Sequence, residues 1–476
     1  MGGHDTNKNN TDFASWKLAE WAATLTYEQL STEAIQCAKL FLYDSFGCAL
    51  GGSQQHDVEM FLDHAKAMGG ADTCAVFGSG FRTDPVMAAM LNALCIRAMD
   101  YNDIYWKADP SHPSDIIPAA LSICEMNGLS GKDLILGVCI GHEIEMRLAE
   151  FGDPGVREYG WHHATITCIA APIVAGRMLG LSAEQIQQAI GISASPSMCL
   201  GAVTAGKLTN MKNTVDPMAT RGGVEAALLA ARGYSGPEHV IDGKEGLLHC
   251  FEKFGGAFNL GMLTDNLPSC GGCHWKILDC GMKSFPIEAL SHAPLTAMMK
   301  IVALHDVDPG DVAEIKVEVI ARAADILGDP AKYRPTSKET ADHSLPYSLA
   351  VGLVDGMVTP LQFKQDRIDD PALIPVMDKI KVVPNDEFEA IFPEFQPSQV
   401  TITLADGTSH TERVDVPKGD PRDPMTEEEI AVKFNALGTS VVGESTCTEL
   451  RAMIMHLEDQ ADLNHLMDLM TATVSA

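Results

Sequence analysis

The chain has 476 residues, 46% of them hydrophobic and 21% charged, which is the balance of a soluble globular protein. This length predicts two or three structural units. Because 64 acidic residues outnumber 34 Lys and Arg, the formal net charge is −30, which excludes nucleic acid and anionic membranes as favoured partners. A site for a polyanionic substrate in such a chain needs its own local cations.

Cysteine usage and the N-terminus indicate a cellular compartment. The thirteen cysteines are scattered from Cys37 to Cys447, which is typical of buried free thiols in a reducing environment. No uncharged apolar run reaches the ~18–20 residues that span a bilayer. Residues 1–11 are polar and lack a secretory signal, and Gly2 with Thr6 fits only a loose myristoylation pattern without a polybasic segment. We expect a cytoplasmic protein.

Apolar residues at helical spacing predict that residues 12–275 are almost entirely helical. The first long pattern, Thr26–Leu50, ends at the helix-stop pair Gly51-Gly52. Similar patterns cover Pro85–Ala98, Ser114–Asn127, Gly131–Leu148, His163–Leu179, Ser182–Ser193 and Asp216–Arg232. Many are apolar on most faces, as expected of helices buried within a large bundle.

The pattern changes near residue 276. Ala313–Ile320 alternates polar and β-branched residues, which predicts a strand, and Ile380–Val383 and Gln399–Leu404 with a return strand to Val416 are further candidates. His292–His305 and Ser344–Val358 are predicted helices, and Thr426 opens a helix with Glu429 at capping-box spacing. The predicted fold class is mainly α with an inserted α+β domain. The helical domain comprises 1–275 and 422–476, and the α+β domain comprises 276–421.

A polar loop between two apolar helical patterns carries the strongest chemical signal. It reads Asp100-Tyr101-Asn102-Asp103 and then His112-Pro113-Ser114-Asp115, and Pro110 and Pro113 prevent a helix there. Long polar loops between buried helices usually serve a function. The alternative is a surface loop in which Asp100 or Asp103 caps the next helix, and the residues alone leave both interpretations open.

A histidine pair and a group of cations add further candidates. Gly160-Trp161-His162-His163 stands at the start of a predicted helix, where the helix dipole lowers an imidazole pKa and favours a neutral base. The alternative is a capping or core histidine. Lys207, Lys212 and Arg221 fit a carboxylate-binding patch, although Lys212 and Asp216 also fit an ordinary surface ion pair. Tyr333 and Arg334 could supply a phenolic donor and a cation from the inserted domain.

The remaining motifs are weak. Cys270 and Cys273 form a CxxC pair near His274 and Cys280, which raises a metal or iron–sulfur possibility, but one CxxC is a poor signal. No dinucleotide fingerprint, Walker A loop, nucleophile elbow or HExxH helix is found, so nucleotide, serine-hydrolase and zinc-protease functions lack their motifs.

Several stretches, in order along nearly the whole chain, resemble the MmgE/PrpD family, which includes 2-methylcitrate dehydratase, cis-aconitate decarboxylase and iminodisuccinate epimerase. The matching stretches are Leu42–Gly52, Met99–Asp115, Gly160–His163, Leu179–Ile192, Met211–Gly236, Ala341–Asp355 and Phe434–Leu437. The resemblance implies the MmgE/PrpD fold of a large helical domain and a smaller lid domain, a homodimer, and catalysis without metal or organic cofactor.

The resemblance also implies roles for individual residues. Catalytic roles fall on Asp100, His112, His162, Lys212, Lys283 and Tyr333, and substrate binding falls on Asp103, His163, Lys207, Arg221, Glu288 and Arg334. His112 and His162 are expected to be the acid and base, in an order that the sequence leaves open. The lysines and Arg221 are expected to hold carboxylates, and Asp100 to orient His112. Ile104 stands where relatives often carry threonine.

These observations predict a cofactor-independent dehydratase acting on 2-methylcitrate or a related hydroxy-tricarboxylate, a substrate of propionate catabolism. Glu288, which follows Lys283 and Phe285-Pro286, favours departure of hydroxide over loss of CO₂. The alternatives are a decarboxylase acting on cis-aconitate, an epimerase or isomerase acting on a related polycarboxylate, and a non-catalytic scaffold of the same fold. The substitution at Ile104 is the feature that favours the scaffold.

Overall fold

The computed structural model describes residues 9–205, 208–253 and 255–473. They divide into two units. The first contains the described residues up to 205, then 210–280 and everything from 426 onward, and the second contains 208–209 and 281–425. The first unit is therefore made from both ends of the chain.

The first unit is built of α-helices. They are α1 Ala14–Thr24, α2 Thr32–Gly52, α3 His56–Met68, α4 Pro85–Arg97, α5 Ile117–Asn127, α6 Gly131–Glu150, α7 Ala164–Met178, α8 Ala183–Ala194, α9 Met211–Ala230, α10 Leu247–Glu252 and α11 Leu260–Thr264, with α19 Glu427–Val442, α20 Glu444–Met455 and α21 Asn464–Thr471 from the C-terminal segment. Helices α4 to α7 are buried on most faces, as their composition predicts. No described helix is long and apolar enough to cross a membrane.

Three small antiparallel strand pairs interrupt the helices of the first unit. They pair β1 Cys74–Val76 with β2 Phe81–Thr83, β3 Asp103–Trp106 with β4 Pro110–Ser111, and β5 Gly152–Asp153 with β6 Ala257–Phe258. The prediction that residues 12–275 are almost entirely helical is wrong at these places. Strands of two to four residues are too short to show a hydrophobic period.

The second unit combines short helices with a sheet. It contains β7 Gly281–Met282, α12 His292–His305, β8 Val312–Val319, α13 Ala321–Leu327, α14 Lys338–Ala341, α15 Leu345–Asp355, α16 Gln365–Ile368, α17 Ile374–Met377, β9 Ile380–Pro384, α18 Asp386–Glu389, β10 Ser398–Leu404 and β11 Ser409–Val414. The four-stranded sheet has the order β11-β10-β8-β9, in which only β8 and β9 are parallel. Ile315, Val317 and Val319 form its buried face, which follows from their alternation in sequence. The predicted fold class is confirmed.

Most predicted helices lie within a few residues of their observed bounds. The exceptions are α2, which begins at Thr32 instead of Thr26, and α9. Helix α9 begins at Met211, five residues before the predicted start at Asp216, and it contains Pro217. That proline, a usual helix breaker, hid the first turn. As a result Lys212 lies in the first turn of α9 instead of in a preceding loop. The predicted capping box is confirmed, since Thr426 Oγ1 accepts the Glu429 amide.

One disulfide contradicts the prediction that all cysteines are free. Cys270 and Cys273, whose Cα atoms are 5.3 Å apart, are bonded, whereas the other eleven cysteines, all in the described chain, form no disulfide. A CxxC turn brings two Cα atoms within bonding range regardless of the surrounding fold. His274, the proposed extra metal ligand, instead lies 2.9 Å from Asp279 Oδ2.

A buried ion pair attaches the C-terminal segment to the helical core. Lys433 Nζ on α19 lies 2.7 Å from Asp44 Oδ1 on α2 and donates to the Tyr101 carbonyl at 2.6 Å. Both charged side chains are almost fully buried. The pair therefore fixes the backbone next to Asp100 through a residue more than 300 positions away in sequence.

We predict that Lys433→Ala lowers the free energy of unfolding by about 3–5 kcal/mol, because it leaves the buried Asp44 carboxylate without its cation. Urea unfolding followed by circular dichroism measures the change. The control is His465→Ala, which removes an exposed pair with Glu449 and should cost less than about 1 kcal/mol. Equal losses in the two variants would contradict the assignment.

Candidate active site

Asp100 lies at the end of α4 in a backbone conformation that side chains rarely adopt. Its φ is +51°, in the left-handed region, where a non-glycine residue costs energy and often marks a functional site. The side chain is buried, with Oδ1 3.3 Å from Arg97 Nη1 and Oδ2 3.1 Å from Lys212 Nζ. The turn thus holds one carboxylate between two buried cations.

Asp103, predicted to bind substrate, turns its carboxyl group into the protein. Oδ2 accepts the Ser114 amide at 2.8 Å and Oδ1 accepts the Ser114 hydroxyl at 2.6 Å. Burial raises its pKa to about 7 in spite of these bonds. The carboxyl group therefore joins the start of β3 to the residues that follow His112.

His112 is held in one tautomer by the same strand. Its Nδ1 lies 2.7 Å from the Asp103 carbonyl oxygen. A carbonyl can only accept, so Nδ1 carries the proton and, in the neutral ring, Nε2 carries the lone pair. His112 is thereby oriented to take up a proton at Nε2.

His162 has the opposite arrangement. It lies two residues before the start of α7, and its Nδ1 accepts the Ala164 amide at 3.1 Å, so the neutral ring carries its proton on Nε2. Burial, followed by the charge of His163, holds its pKa well below the usual value. The predicted direction is confirmed, although burial rather than the helix dipole is the largest cause. No described residue is a hydrogen-bond partner of Nε2.

His163 completes a row of three imidazoles. Its ring centroid is 3.9 Å from that of His162 and 5.4 Å from that of His112. Its Nε2 lies 3.1 Å from Asp216 Oδ2 on α9. Burial opposes ionisation of Asp216, but His163, His162 and Arg97 together hold the pKa of that carboxyl below its ordinary value. His163 was predicted to bind substrate, and its Nε2 is directed at this carboxylate.

Two buried charged residues of the helical unit, Arg97 and Glu145, were not predicted from the sequence. Arg97, the last residue of α4, has Nε 3.7 Å from Asp115 Oδ2 in addition to its contact with Asp100. Glu145 on α6 accepts the Thr167 hydroxyl at 3.0 Å. Burial raises the pKa of Asp115 and of Glu145 well above their usual values. A charged residue inside an otherwise apolar helix was the available signal, since such residues are rarely buried without a partner.

In the second unit, three of the predicted residues have partners of their own. Glu288 accepts the Leu290 amide at 2.7 Å, the Tyr333 hydroxyl donates to the Ile380 carbonyl at 3.0 Å, and the exposed Arg334 pairs with Asp378 at 2.7 Å. Lys283 is buried. The same unit contains a buried acid that was not predicted, Asp342, which lies between Lys338 and His343.

The last two predicted residues are Lys207 and Arg221. Lys207 lies outside the described residues. Arg221 is half-buried on α9, and its side chain makes no ion pair or hydrogen bond with the residues that the structure describes. Arg221 thus keeps its cation available on the helix that also carries Lys212 and Asp216.

Within the described residues of the first unit, two groups have ligand atoms close enough for a metal ion. They are His162 with His163 and Asp216, and Asp103 with His142 and Cys280, each within 4.8 Å. In the first group His162 Nδ1 already accepts an amide and His163 pairs with Asp216, so internal contacts account for the arrangement. A separate cavity of about 480 Å³ lies beside Thr165, Ile169 and Val240, and none of the candidate catalytic side chains lines it.

Comparison with known families assigns both parts of the chain. Residues 16–256 match the MmgE/PrpD N-terminal domain and residues 285–459 match the MmgE/PrpD C-terminal domain. The chain belongs to the MmgE/PrpD family. This membership agrees with the resemblance found in the loop and histidine stretches.

Relatives within the family carry two enzyme names. A cis-aconitate decarboxylase from Aspergillus terreus is 25% identical, covering 97% of this chain and 96% of the relative, and one from Mus musculus is 27% identical over 93% and 90%. A mitochondrial 2-methylcitrate dehydratase from Yarrowia lipolytica is 26% identical over 85% and 79%. Both names denote lyases.

We predict that Asp103 makes stability fall as pH rises. Its pKa is raised from 3.8 to about 7, so the folded protein binds a proton that the unfolded chain has released. The stabilising contribution is therefore present near pH 4 and is lost as pH rises to about 7, by at most about 4 kcal/mol.

Urea unfolding of the wild type and of Asp103→Asn between pH 5 and pH 8 measures this effect. The side-chain oxygen of the asparagine can still accept a hydrogen bond from the Ser114 backbone amide, but the asparagine does not titrate. As pH rises, the unfolding free energy of the wild type should fall relative to that of the variant. Parallel curves would show that Asp103 does not hold the proton.

Proposed function

We propose that this protein is a cofactor-independent lyase acting on a polycarboxylate, and that its reaction is dehydration of 2-methylcitrate or a related hydroxy-tricarboxylate. The observation that carries the proposal is the opposed tautomers of the two histidines. His112 offers a lone pair at Nε2, and His162 offers an N–H at Nε2. Dehydration begins with removal of a weakly acidic proton, which requires a base in its neutral form.

In the proposed reaction, His112 Nε2 removes the proton from the carbon next to a substrate carboxylate. The electron pair forms the new carbon–carbon double bond as the adjacent C–O bond breaks. The departing hydroxide takes the proton back from His112 Nε2, so water leaves and His112 returns to its neutral form. The reaction thus breaks one C–H and one C–O bond and forms one C=C and one O–H bond.

His162 has a different role from the acid expected for one of the two histidines. Its Nδ1 accepts an amide N–H, so loss of the Nε2 proton would leave an imidazolate. We assign it as a neutral hydrogen-bond donor to the oxygen on which negative charge develops. A neutral imidazole at a helix N-terminus is a known form of such a donor.

The cations supply what an acidic chain otherwise lacks. Lys212 lies in the first turn of α9 beside Asp100, and Arg221 lies further along the same helix. We propose that Lys212 and Arg221 hold substrate carboxylates, with Arg97 pairing with Asp100. The roles that the resemblance gives to Lys283, Tyr333 and Lys207 remain predictions.

Decarboxylation of cis-aconitate is the second candidate. The cis-aconitate decarboxylase relatives span a larger share of the chain than the dehydratase from Yarrowia does. The contact of Glu288 with the Leu290 amide also weakens the argument that this glutamate serves hydroxide departure. A decarboxylase would need His112 to begin protonated at Nε2, because the carbanion formed on loss of CO₂ takes up a proton.

The homodimer and the cytoplasmic location stay predictions. The first rests on the family resemblance, and the second rests on cysteine usage. Light scattering and cell fractionation measure them directly.

We predict that purified, chelator-treated protein forms an unsaturated tricarboxylate from 2-methylcitrate. Enoate absorbance and chromatography measure the product. Citrate and cis-aconitate serve as comparison substrates. Itaconate formed from cis-aconitate, without hydration or dehydration of any substrate, would establish the decarboxylase instead. Lack of turnover of all three would favour the non-catalytic scaffold.

We predict that His112→Ala lowers kcat by about 10²–10⁴-fold, because it removes the proton-transfer group. The matched control is His239→Ala, which removes a histidine of the same unit that bonds to Asn10. Circular dichroism should show that both variants are folded. If His112→Ala kept more than about a tenth of the wild-type rate, the assignment would be wrong.

A further inference from the structure

His163 and Asp216 form a buried pair that no step of the proposed reaction uses. Asp216 lies on α9, one turn beyond Lys212, and its Oδ2 is 3.1 Å from His163 Nε2. Its Oδ1 lies 3.4 Å from the Thr167 hydroxyl on α7. Each side chain is more than nine-tenths buried. A buried carboxylate and imidazole at this distance stabilise each other as an ion pair.

The pair lies directly against His162, with the two imidazole centroids 3.9 Å apart. The charged groups that act on His162 come from several elements. They are His163 beside it, Asp216 on α9, Arg97 at the end of α4 and Arg157 in the preceding 3-10 turn. His163, Arg97 and Arg157 disfavour a second positive charge on His162, whereas Asp216 favours it. Of the four, His163 has the largest effect.

The state of His162 matters because its two nitrogens have different tasks. Protonation would place a hydrogen on Nδ1, which now accepts the Ala164 amide, and would break that bond. The ring would then lose the contact that directs Nε2. A positive charge on a neighbouring ring would oppose this without touching Nε2.

We propose that His163 and Asp216 are positioning residues, whose ion pair adds to the effect of burial in keeping His162 neutral with its proton on Nε2. The role that this gives His162 rests on the proposed function, but the electrostatic effect does not. His163 is then not a substrate ligand, in contrast to the expectation from the resemblance. Its ring supplies charge to its neighbour while Asp216 holds that charge in place.

The test is ¹⁵N NMR of histidine-labelled protein, which reports the tautomer and the titration midpoint of His162 without any turnover. In the wild type His162 should show the Nε2–H tautomer. His163→Gln keeps an amide donor for Asp216 but removes the positive charge. The midpoint of His162 should rise by about one pH unit or more, because the uncompensated carboxylate now favours its protonation.

Asp216→Asn provides a second variant that differs in a defined way. It removes the anion and, with it, the positive charge on His163 that the anion stabilises. The titration midpoint of His162 should therefore rise less than in His163→Gln. His239→Gln, a histidine outside this cluster, should leave it unchanged. The acid limb of the kcat profile should move with the midpoint in each variant.

The possible results separate the two proposals. A raised midpoint in a protein that turns over no polycarboxylate would support the positioning role and contradict the proposed function. An unchanged midpoint in folded His163→Gln, or the Nδ1–H tautomer of His162 in the wild type, would overturn the positioning role. A larger rise in Asp216→Asn than in His163→Gln would also overturn it.

Discussion

The arrangement of the helical unit depends on the cost of burying charge. Arg97 lies in the interior at the end of α4, and it is stable there because Asp100 and Asp115 lie within ion-pair distance. Asp100 in turn brings in Lys212 from α9, and Asp216, on the same helix, brings in His163. Each buried charge thus fixes the position of another element, and the pairs together determine how α4, α7 and α9 meet around the polar loop.

The same burial sets the protonation states on which the proposed function depends. Removal of water penalises every charged form, so Asp103 is half-protonated near pH 7 and His162 stays neutral, while Asp216 is kept ionised by its cationic neighbours. The surroundings therefore shift the pKa values of neighbouring groups of one site in opposite directions. Such separation of protonation states is what acid–base catalysis requires. Stability and reactivity here have one physical source.

How much of this could be read from the sequence depended on how far apart the interacting residues are. Helices such as α12 and strands such as β8 follow from local hydrophobic period and were predicted almost to the residue. The polar loop and the His162-His163 pair were found for the same reason, since their residues are adjacent. The ion pairs of Lys212 with Asp100 and of His163 with Asp216 were not, because an ion pair between distant segments leaves no local pattern.

In the proposed function, the protonation state of His112 decides which of the two lyase reactions takes place. Its Nδ1 donates to the Asp103 carbonyl whether the ring is neutral or charged, so both states keep the same orientation. The neutral ring removes a proton and suits dehydration, and the charged ring delivers one and suits decarboxylation. A frame that holds His112 in this way, and fixes only His162 as neutral, can therefore serve either reaction. The choice between them then follows from charges around one nitrogen rather than from a different set of catalytic residues.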